Sequence, residues 1–393
     1  MSVDSAKRLF VVATLVCAGA LSAYCQQRTD TINRWFSLSR AYTHQRDYGS
    51  SWGASGTFDI SPDFGVLIGT GPTFTKYSYR EDPFLYTTGL LGAIAIPSWR
   101  YEVTYNFYMP SFANRWALEF KAGVSTYESI AFYGYGSDTP RDPVKEDEGY
   151  YLMDSWLYSS RLFLGYGVTP SIWAGPLLTG NYLEMYDDSR DRLIDSVESV
   201  VLGAQRTYVG LGAQLFVDTR ERSMYPRSGM YAAANAIGWF AADKGRQPFQ
   251  TLQADIRLYT TPLKAEDLVL ALRVGGMASF GEVIYYQSAV LGGRRSLRGY
   301  MFQRFRGDYS VYGSAEVRFP LFKQLIFLPV EFGAFFMGDV GRLWYQGESP
   351  GGMRGSWGIG IWGAGFSRDL LGILYVAFAR EGAMVRAGFG FDY

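Results

Sequence analysis

Segments in which apolar and polar residues alternate one by one run through most of the chain. In the segment 252–258 one set of alternate positions is apolar and the other polar: Leu252, Ala254, Ile256 and Leu258 against Gln253, Asp255 and Arg257. A two-residue period is that of a β-strand, whose successive side chains point to opposite faces. Unpaired charges cost several kcal/mol in a dry core, whereas the water-filled lumen of a membrane barrel accepts them. The pattern therefore predicts an all-β fold, a transmembrane antiparallel β-barrel with its polar face inside.

The alternating segments predict sixteen strands, and an even number is what bacterial outer-membrane barrels require. We predict the strands at 53–61, 64–77, 86–95, 98–109, 114–127, 149–165, 169–185, 201–217, 229–242, 247–260, 266–280, 309–320, 327–340, 355–366, 370–380 and 383–393. With this count, the long connections 128–148, 187–200, 281–308 and 341–354 all fall at one end of the barrel. We expect that end to face the outside of the cell, because periplasmic turns are short.

The start of the chain has the features of an export signal. Lys7 and Arg8 form a charged start, residues 9–23 an apolar stretch and residues 23–25 a cleavage site. We therefore predict a signal peptide at 1–25, a short periplasmic segment at 26–52 and the barrel at 53–393. The expected location is the outer membrane of a Gram-negative cell.

Composition and residue types argue against several functional classes. The 37 Lys and Arg residues balance the 37 Asp and Glu residues, so we expect no nucleic-acid partner. Both cysteines, Cys17 and Cys25, lie in the predicted signal peptide, so there is no disulfide framework to interpret. The single histidine, His44, precedes the first strand and cannot supply a histidine-based triad or metalloprotease motif. We expect no enzymatic activity, no catalytic residue, no metal site and no cofactor.

The connection between the eleventh and twelfth strands carries an unusual arginine. Arg298 stands in the run 291–300 (LGGRRSLRGY), and a later strand carries Asp339 followed by Gly341. An arginine in a glycine-rich loop, with a carboxylate on a later strand, predicts a loop folded into the barrel and pinned by charge-assisted hydrogen bonds. The predicted loop lock consists of Arg298, Gly299, Tyr300, Asp339 and Gly341. An ion pair that merely plugs a wide barrel is the alternative.

These residues carry a family resemblance. Residues 297–300 (LRGY) resemble the [VL]-R-G-[FY] signature of the BamA/TamA superfamily of outer-membrane barrels, the bacterial surface antigen family. Residues 339–341 (DVG) fall where that family has [FG]-x-D-x-G, with Met337 in the first slot. A periplasmic turn motif similar to the family's D-x-R-[DN] … [FY]-P-x-x-G consists of Asp218, Arg220, Pro226 and Gly229. This turn either grips a periplasmic partner or only carries charges that keep it out of the membrane.

The last predicted strand has a pattern of its own. Its alternation places five residues on one face: Val385, Ala387, Phe389, Phe391 and Tyr393. The spacing of Arg386, Gly388, Phe391 and Tyr393 resembles a C-terminal assembly signal, by which assembly machinery recognises outer-membrane clients. Glycine weakens a strand, and an exposed edge templates pairing. We therefore hypothesise that the seam between this strand and strand 53–61 opens sideways into the bilayer.

The four remaining arginines of the loop make it basic. They are Arg294, Arg295, Arg304 and Arg306. A lumenal site for anionic lipid or lipopolysaccharide is one interpretation. The other is a solvated loop whose charge is balanced by the inward-facing Glu316 and Glu331.

The resemblance implies a barrel that assists insertion or translocation of protein, or of lipid, through a deformable seam. Family members usually carry soluble βααββ modules ahead of the barrel. In this sequence only residues 26–52 lie between the predicted signal peptide and the predicted barrel, so we expect a separate periplasmic partner or independent action. Other expected partners are outer-membrane lipid, outer-membrane protein clients and the barrel assembly machinery. The competing interpretation is a passive pore, or an anchor or scaffold for a separate periplasmic or surface protein. Residues 132–139 resemble a loop of superfamily barrels fused to calcineurin-like phosphoesterases, which fits an anchor or exporter of a separately encoded enzyme.

Overall fold

The computed structural model describes most of the chain. The described residues are 48–79, 83–113, 115–126, 131–185, 192–197, 206–242, 247–262, 268–325, 329–365 and 370–393. The predicted signal peptide at 1–25 and residues 26–47 of the predicted periplasmic segment lie outside them. Within the described residues, no helix is long and apolar enough to cross a membrane.

Sixteen of the eighteen described strands form a closed antiparallel barrel, which confirms the predicted fold. The strands are β1 (Gly49–Ser61), β2 (Gly65–Tyr77), β3 (Tyr86–Pro97), β4 (Arg100–Ala113), β5 (Trp116–Ser125), β6 (Ser155–Thr169), β7 (Ile172–Met185), β8 (Arg206–Asp218), β9 (Gly229–Ala241), β10 (Phe249–Thr260), β11 (Val269–Phe280), β12 (Ala289–Leu291), β13 (Phe305–Gly307), β14 (Tyr309–Leu325), β15 (Pro329–Trp344), β16 (Arg354–Gly365), β17 (Leu370–Ala379) and β18 (Gly382–Phe389). The short strands β12 and β13 pair with each other inside the connection 281–308. Short helices are α1 (Pro143–Asp147) and α2 (Leu193–Val197), and Tyr285–Gln287 is a 3-10 turn.

The alternation along the strands has the predicted sense. Leu211 and Ile256 are 57% and 50% exposed and point outward, where a membrane barrel meets lipid. Arg257 and Glu316, at lumenal positions, are each 1% exposed. The lumenal Asp255 is paired rather than merely hydrated, because its carboxylate accepts hydrogen bonds from Arg257 and from Arg273 on the neighbouring strand.

The two ends of the barrel differ in the length of their connections. One end, called the loop end below, carries the connections 281–308 and 345–353 and the described parts of the two other long ones. The opposite end, called the turn end, holds the start of β1, the tight turn 170–171 and the connection 219–228 between β8 and β9. The predicted grouping of the long connections is therefore confirmed. The barrel itself starts at Gly49 rather than at residue 53.

Residues 131–154, called the cap below, cover the loop end. The strand predicted at 149–165 begins only at Ser155, because residues 149–154 belong to this cap. There Tyr151 stacks on Tyr133, with ring centroids 4.8 Å apart. Burial raises the pKa of the Tyr133 hydroxyl above its usual range, and the Glu146 carboxylate to which it donates a hydrogen bond adds to the shift.

The cap also contacts the loop beneath it. The backbone N–H of Gly136 donates to the carbonyl oxygen of Arg306 over 2.7 Å, and Arg304 donates to Thr139. The rings of Tyr135 and Tyr345 stack at 4.9 Å, which joins two connections at the loop end. The connection 281–308 is therefore held from above as well as from the barrel wall.

The prediction that the last strand runs to residue 393 is wrong. β18 ends at Phe389, and Gly390 has a φ of +73°, a left-handed conformation that glycine adopts without strain. The chain then turns into the lumen, so Phe391 and Tyr393, each 4% exposed, do not share the outward face of Val385. Residues 390–393 are called the inward segment below.

The inward segment meets an aromatic cluster at the turn end. Phe391 packs against Tyr225 of the connection 219–228, with ring centroids 5.5 Å apart, and against Trp362 of β16 at 6.3 Å. Tyr225 and Trp362 are themselves in contact at 4.8 Å. Since β8 and β9 lie opposite β18 in the closed strand order, Tyr225 reaches across the bore.

The orientation of β10 gives a stability prediction. We expect Ile256→Arg, which places a charge on the outward face, to lower the free energy of unfolding by about 2–4 kcal/mol if it lies near the bilayer midplane. Gln253→Arg on the same strand points into a polar lumenal cavity and is expected to cost far less. Denaturant unfolding from lipid vesicles measures both. Equal losses would contradict the assigned faces.

Candidate functional site: the loop lock and the seam

The lock between loop and wall is built around Arg298. Its Nη2 lies 2.6 Å from Oδ1 of Asp339, and its backbone N–H donates to Oδ2 of the same carboxylate over 3.1 Å. Nη1 pairs with Glu316 of β14, and Ser356 of β16 donates a further hydrogen bond to Asp339. Arg298, Asp339 and Glu316 all have side chains only 1% exposed. One guanidinium thus joins the loop to β14 and β15, in the multiple charge-assisted geometry that arginine favours.

The other lock residues pack the loop against the wall. A Cβ on Gly299 would lie 2.7 Å from the Ser356 Cβ and 2.9 Å from the Ala379 Cβ, so only glycine fits there without displacement. Tyr300 is fully buried and its ring meets Phe305 at 5.2 Å. A Cβ on Gly341 would meet neighbouring atoms at 3.2 to 3.3 Å, which is tight. The structure therefore brings all five predicted lock residues to one interface.

The loop arginines have protein partners that sequence reasoning did not identify. Arg304 pairs with Glu381 at 2.9 Å, and Arg306 donates to the backbone carbonyl of Tyr285 over 2.6 Å. Arg294 lies between two carboxylates, Asp59 of β1 and Asp392 of the inward segment. Of the two predicted balancing carboxylates, Glu316 pairs with Arg298 and with Arg318 instead. These contacts favour charge balance within the protein over a lipid site at these three arginines.

The seam between β1 and β18 is the shortest pairing in the described barrel. Only Asp59 and Ile60 of β1 pair with β18, whereas thirteen residues of β1 pair with β2. Residues 49–53 and 55–58 have no strand partner on the seam side among the described strands. The backbone ladder therefore closes the barrel over one short stretch.

Lumenal side chains bridge the same seam. Arg294 reaches Asp59 of β1 at 2.7 Å. Arg386 of β18 donates to Ser61 over 2.8 Å and lies 3.0 Å from Asp63. Asp63 also accepts a 2.6 Å hydrogen bond from the backbone N–H of Phe302 in the loop. The locked loop thus ties both sides of the seam together.

Gly388 has a specific role at this place. A Cβ there would lie 2.7 Å from Nη1 of Arg294, so the missing side chain leaves room for the guanidinium against β18. From the sequence, Gly388 is predicted only to weaken the strand. The structure adds that an arginine from the loop uses the space.

The predicted turn motif lies at the turn end and faces inward. Arg220 donates to both oxygens of Asp218 over 3.1 Å, is 4% exposed and lies 4.9 Å from the centre of the Tyr231 ring. Gly229 has a φ of +101°, and a Cβ on it would collide with the Thr219 carbonyl oxygen. A buried pair of this kind fixes the shape of the turn, and binding of a periplasmic partner by this turn stays a prediction.

The residues of the predicted assembly signal are split by the turn at Gly390. Arg386 and Gly388 remain in β18, where they face the loop. Phe391 joins the aromatic cluster and Tyr393 lies near Arg298, with 5.3 Å between the guanidinium carbon and the ring centre. Recognition of these residues by assembly machinery stays a prediction.

A polar cavity of about 200 Å³ remains between the loop and the wall. Its lining mixes both charges, including Lys121, Arg161, Glu119 and Asp255. In the described ranges, no three His, Cys, Asp or Glu side chains are grouped so that they could hold a metal ion.

The geometry of the lock predicts the effect of removing its arginine. Arg298→Ala leaves Asp339 and Glu316 buried without their shared cation, and we expect the free energy of unfolding to fall by about 3–5 kcal/mol. Arg342→Ala is the matched control on β15, because Arg342 contacts the Ser349 hydroxyl and the Trp344 ring rather than a buried carboxylate, and it is expected to cost about 1 kcal/mol. Denaturant unfolding and limited proteolysis of the loop measure the outcome. Equal, small effects would show that the pair only fills space.

Comparison with known proteins places this geometry in a family. The sequence profile described as the Omp85 superfamily domain matches residues 98–364. No curated protein matches the chain by sequence.

Three solved structures are similar in fold at low sequence identity. BamA from Haemophilus ducreyi lacking POTRA domains 1-3 aligns with a TM-score of 0.62 and 15% identity, over 88% of this chain and 71% of that one. CdiB from Escherichia coli aligns with a TM-score of 0.58 and 12% identity, over 90% and 69%. CdiB from Acinetobacter baumannii aligns with a TM-score of 0.51 and 12% identity, over 87% and 59%. The resemblance to the BamA/TamA superfamily is thereby confirmed, and the chain belongs to the Omp85 superfamily of outer-membrane β-barrels.

Proposed function

We propose that the protein assists insertion or translocation of protein at the outer membrane by pairing the open edge of β1 with a strand of its client. The short seam carries this proposal, because only Asp59 and Ile60 pair with β18. An unpaired backbone group costs several kcal/mol in lipid, so an edge such as 55–58 favours an incoming strand. The main-chain hydrogen bonds of strand addition then supply affinity without demanding one client sequence.

The chemistry of this edge favours protein over lipid as the client. A strand edge presents donors and acceptors at the repeat of another strand, which acyl chains cannot match. The open residues 49–53 lie at the turn end, which in this orientation faces the periplasm. A separate periplasmic partner delivering clients there fits the proposal. It assigns no catalytic step to the chain.

The filled lumen weighs against the passive pore. The connection 281–308 occupies the bore behind the cap, and Tyr225, Trp362 and Phe391 meet across the turn end. We therefore expect the closed protein to conduct little in a planar bilayer. A steady conductance that persists with the seam covalently closed would favour the pore. If the protein were only an anchor, it would neither conduct ions nor contact clients.

A disulfide across the seam tests the proposal. The rings of Phe58 and Phe389 are 6.0 Å apart on opposite sides of it, so Phe58→Cys with Phe389→Cys, in a background with Cys17 and Cys25 replaced by Ser, can cross-link. We expect oxidation to abolish insertion of a barrel client into proteoliposomes, and reduction to restore it. The matched control is Val317→Cys with Phe336→Cys, a paired position between β14 and β15 far from the seam. Undiminished insertion of the client with the seam oxidised would contradict the proposal.

Photo-cross-linking tests the edge directly. We expect a photoreactive phenylalanine in place of Trp52, which is 75% exposed on β1, to capture nascent outer-membrane proteins. The same substitution at Phe240, 51% exposed on β9 at the far side of the barrel, is the control and is expected to capture none. Equal capture at both positions would contradict strand addition at β1.

A further inference from the structure

The sequence of the inward segment is compatible with two different positions of these residues. In the structure, Phe391, Asp392 and Tyr393 lie in the lumen at 4%, 6% and 4% exposure. Yet the same residues continue the alternation of β18, as Val385 and Phe389 show. An extended segment would place its two aromatic rings toward lipid and Asp392 toward the water-filled bore, as a barrel strand requires.

The register shows what an extended segment would cover. Asp59 pairs with Gly388 and Ile60 with Ala387, so continued pairing sets residues 390–392 opposite residues 57–55 of β1. These β1 residues form part of the open edge. The inward turn at Gly390 is therefore what leaves this part of the edge open.

Charged contacts hold the segment inside. Asp392 accepts hydrogen bonds from Arg294 over 2.6 Å and from the Tyr375 hydroxyl over 2.7 Å. Arg318 donates to the Tyr393 carbonyl oxygen over 2.8 Å, and its guanidinium carbon lies 3.6 Å from the centre of the Phe391 ring. Both arginines belong to the network around the loop lock, so the locked loop provides part of the binding site for the segment.

A contact from the opposite wall completes the hold. Tyr225, 1% exposed in the connection 219–228, packs its ring against Phe391. The connection starts from the strands opposite the seam, and its shape is fixed by the Asp218 and Arg220 pair. A movement of this turn would therefore be transmitted directly to the segment.

We propose that the turn 219–228, through Tyr225, holds residues 390–393 in the lumen and so controls how much of the β1 edge is open. Withdrawal of Tyr225 releases Phe391, and the segment extends along β1, where it satisfies backbone groups that are otherwise unpaired. The turn is then a regulatory surface at the turn end, within reach of the periplasm. This inference rests on the proposed function only in its effect on clients. The β1 residues that the extended segment would cover are those that the proposed function pairs with a client strand.

Hydrogen exchange without any client tests the switch. We expect Tyr225→Ala to slow exchange of those backbone amides in residues 55–57 that face the seam by about tenfold, since opening of a newly paired edge must precede exchange. Tyr225→Phe keeps the ring contact and is expected to behave as the unsubstituted protein. Tyr208→Ala is the matched control, a buried tyrosine packed on Phe249 away from the segment. Exchange unchanged or faster in Tyr225→Ala, or equally slowed in Tyr208→Ala, would overturn the inference.

A second variant covers the case in which Tyr225→Ala does not fold. Asp392→Asn removes the charge that faces Arg294 and keeps the size of the side chain. It is expected to protect the same amides, and in the double variant the two effects should be less than additive because both act through one segment. Unprotected amides in folded Asp392→Asn would count against the hold.

The two proposals fail separately. Protected amides in Tyr225→Ala, together with no capture of clients at Trp52 in the unsubstituted protein, would leave the switch standing and overturn the use of this edge by clients. Capture that falls in Tyr225→Ala in step with the protection supports both. Capture at Trp52 in the unsubstituted protein, with no protection in any variant, supports the edge and overturns the switch.

Discussion

The placement of the loop inside the barrel depends on the buried ion pairs of one arginine, Arg298. Arg298 is enclosed by Asp339 and Glu316 in a lumen where an unpaired guanidinium would cost several kcal/mol. The pairing is satisfied only when the connection 281–308 folds inside the barrel and β14 and β15 stand side by side. Once the loop is fixed there, its other arginines are positioned as well. The contacts of Arg294, Arg304 and Arg306 follow from that placement.

The loop links the lock to the seam. Arg294 stands four residues before Arg298 and contacts carboxylates from β1 and from the inward segment, while the backbone of Phe302 binds Asp63 beyond the end of β1. A seam with two paired residues is weak as a ladder, yet it is bridged by charged contacts from inside. This arrangement separates two requirements. The bore stays filled while the wall keeps an edge that can exchange partners.

Much of this architecture can be predicted from the sequence, for a physical reason. A membrane barrel imposes a strict two-residue period on every strand, so strand number, facing and the grouping of long connections follow from alternation alone. The Arg298 and Asp339 pair was also predictable, because both residues stand in segments that resemble motifs of the BamA/TamA superfamily. The partners of Arg294 were not, since Asp59 is 235 residues away and alternation places many carboxylates inside. Tyr225 stands in the aromatic slot of the turn motif, but its contact was not predictable, because only the closed barrel brings it to Phe391.

The end of β18 shows where alternation stops being decisive. Residues 390–393 satisfy the pattern of a lipid-facing strand, yet the lumen offers Asp392 two hydrogen-bond donors and offers Phe391 an aromatic cluster. Extension gains backbone pairing along β1 but gives up these contacts, so each position pairs polar groups that the other leaves unpaired. Gly390 allows the turn without strain, which removes the backbone penalty that would otherwise favour the extended form. Tyr225 adds a contact from the opposite wall that only the inward position makes, and this contact therefore favours the inward position.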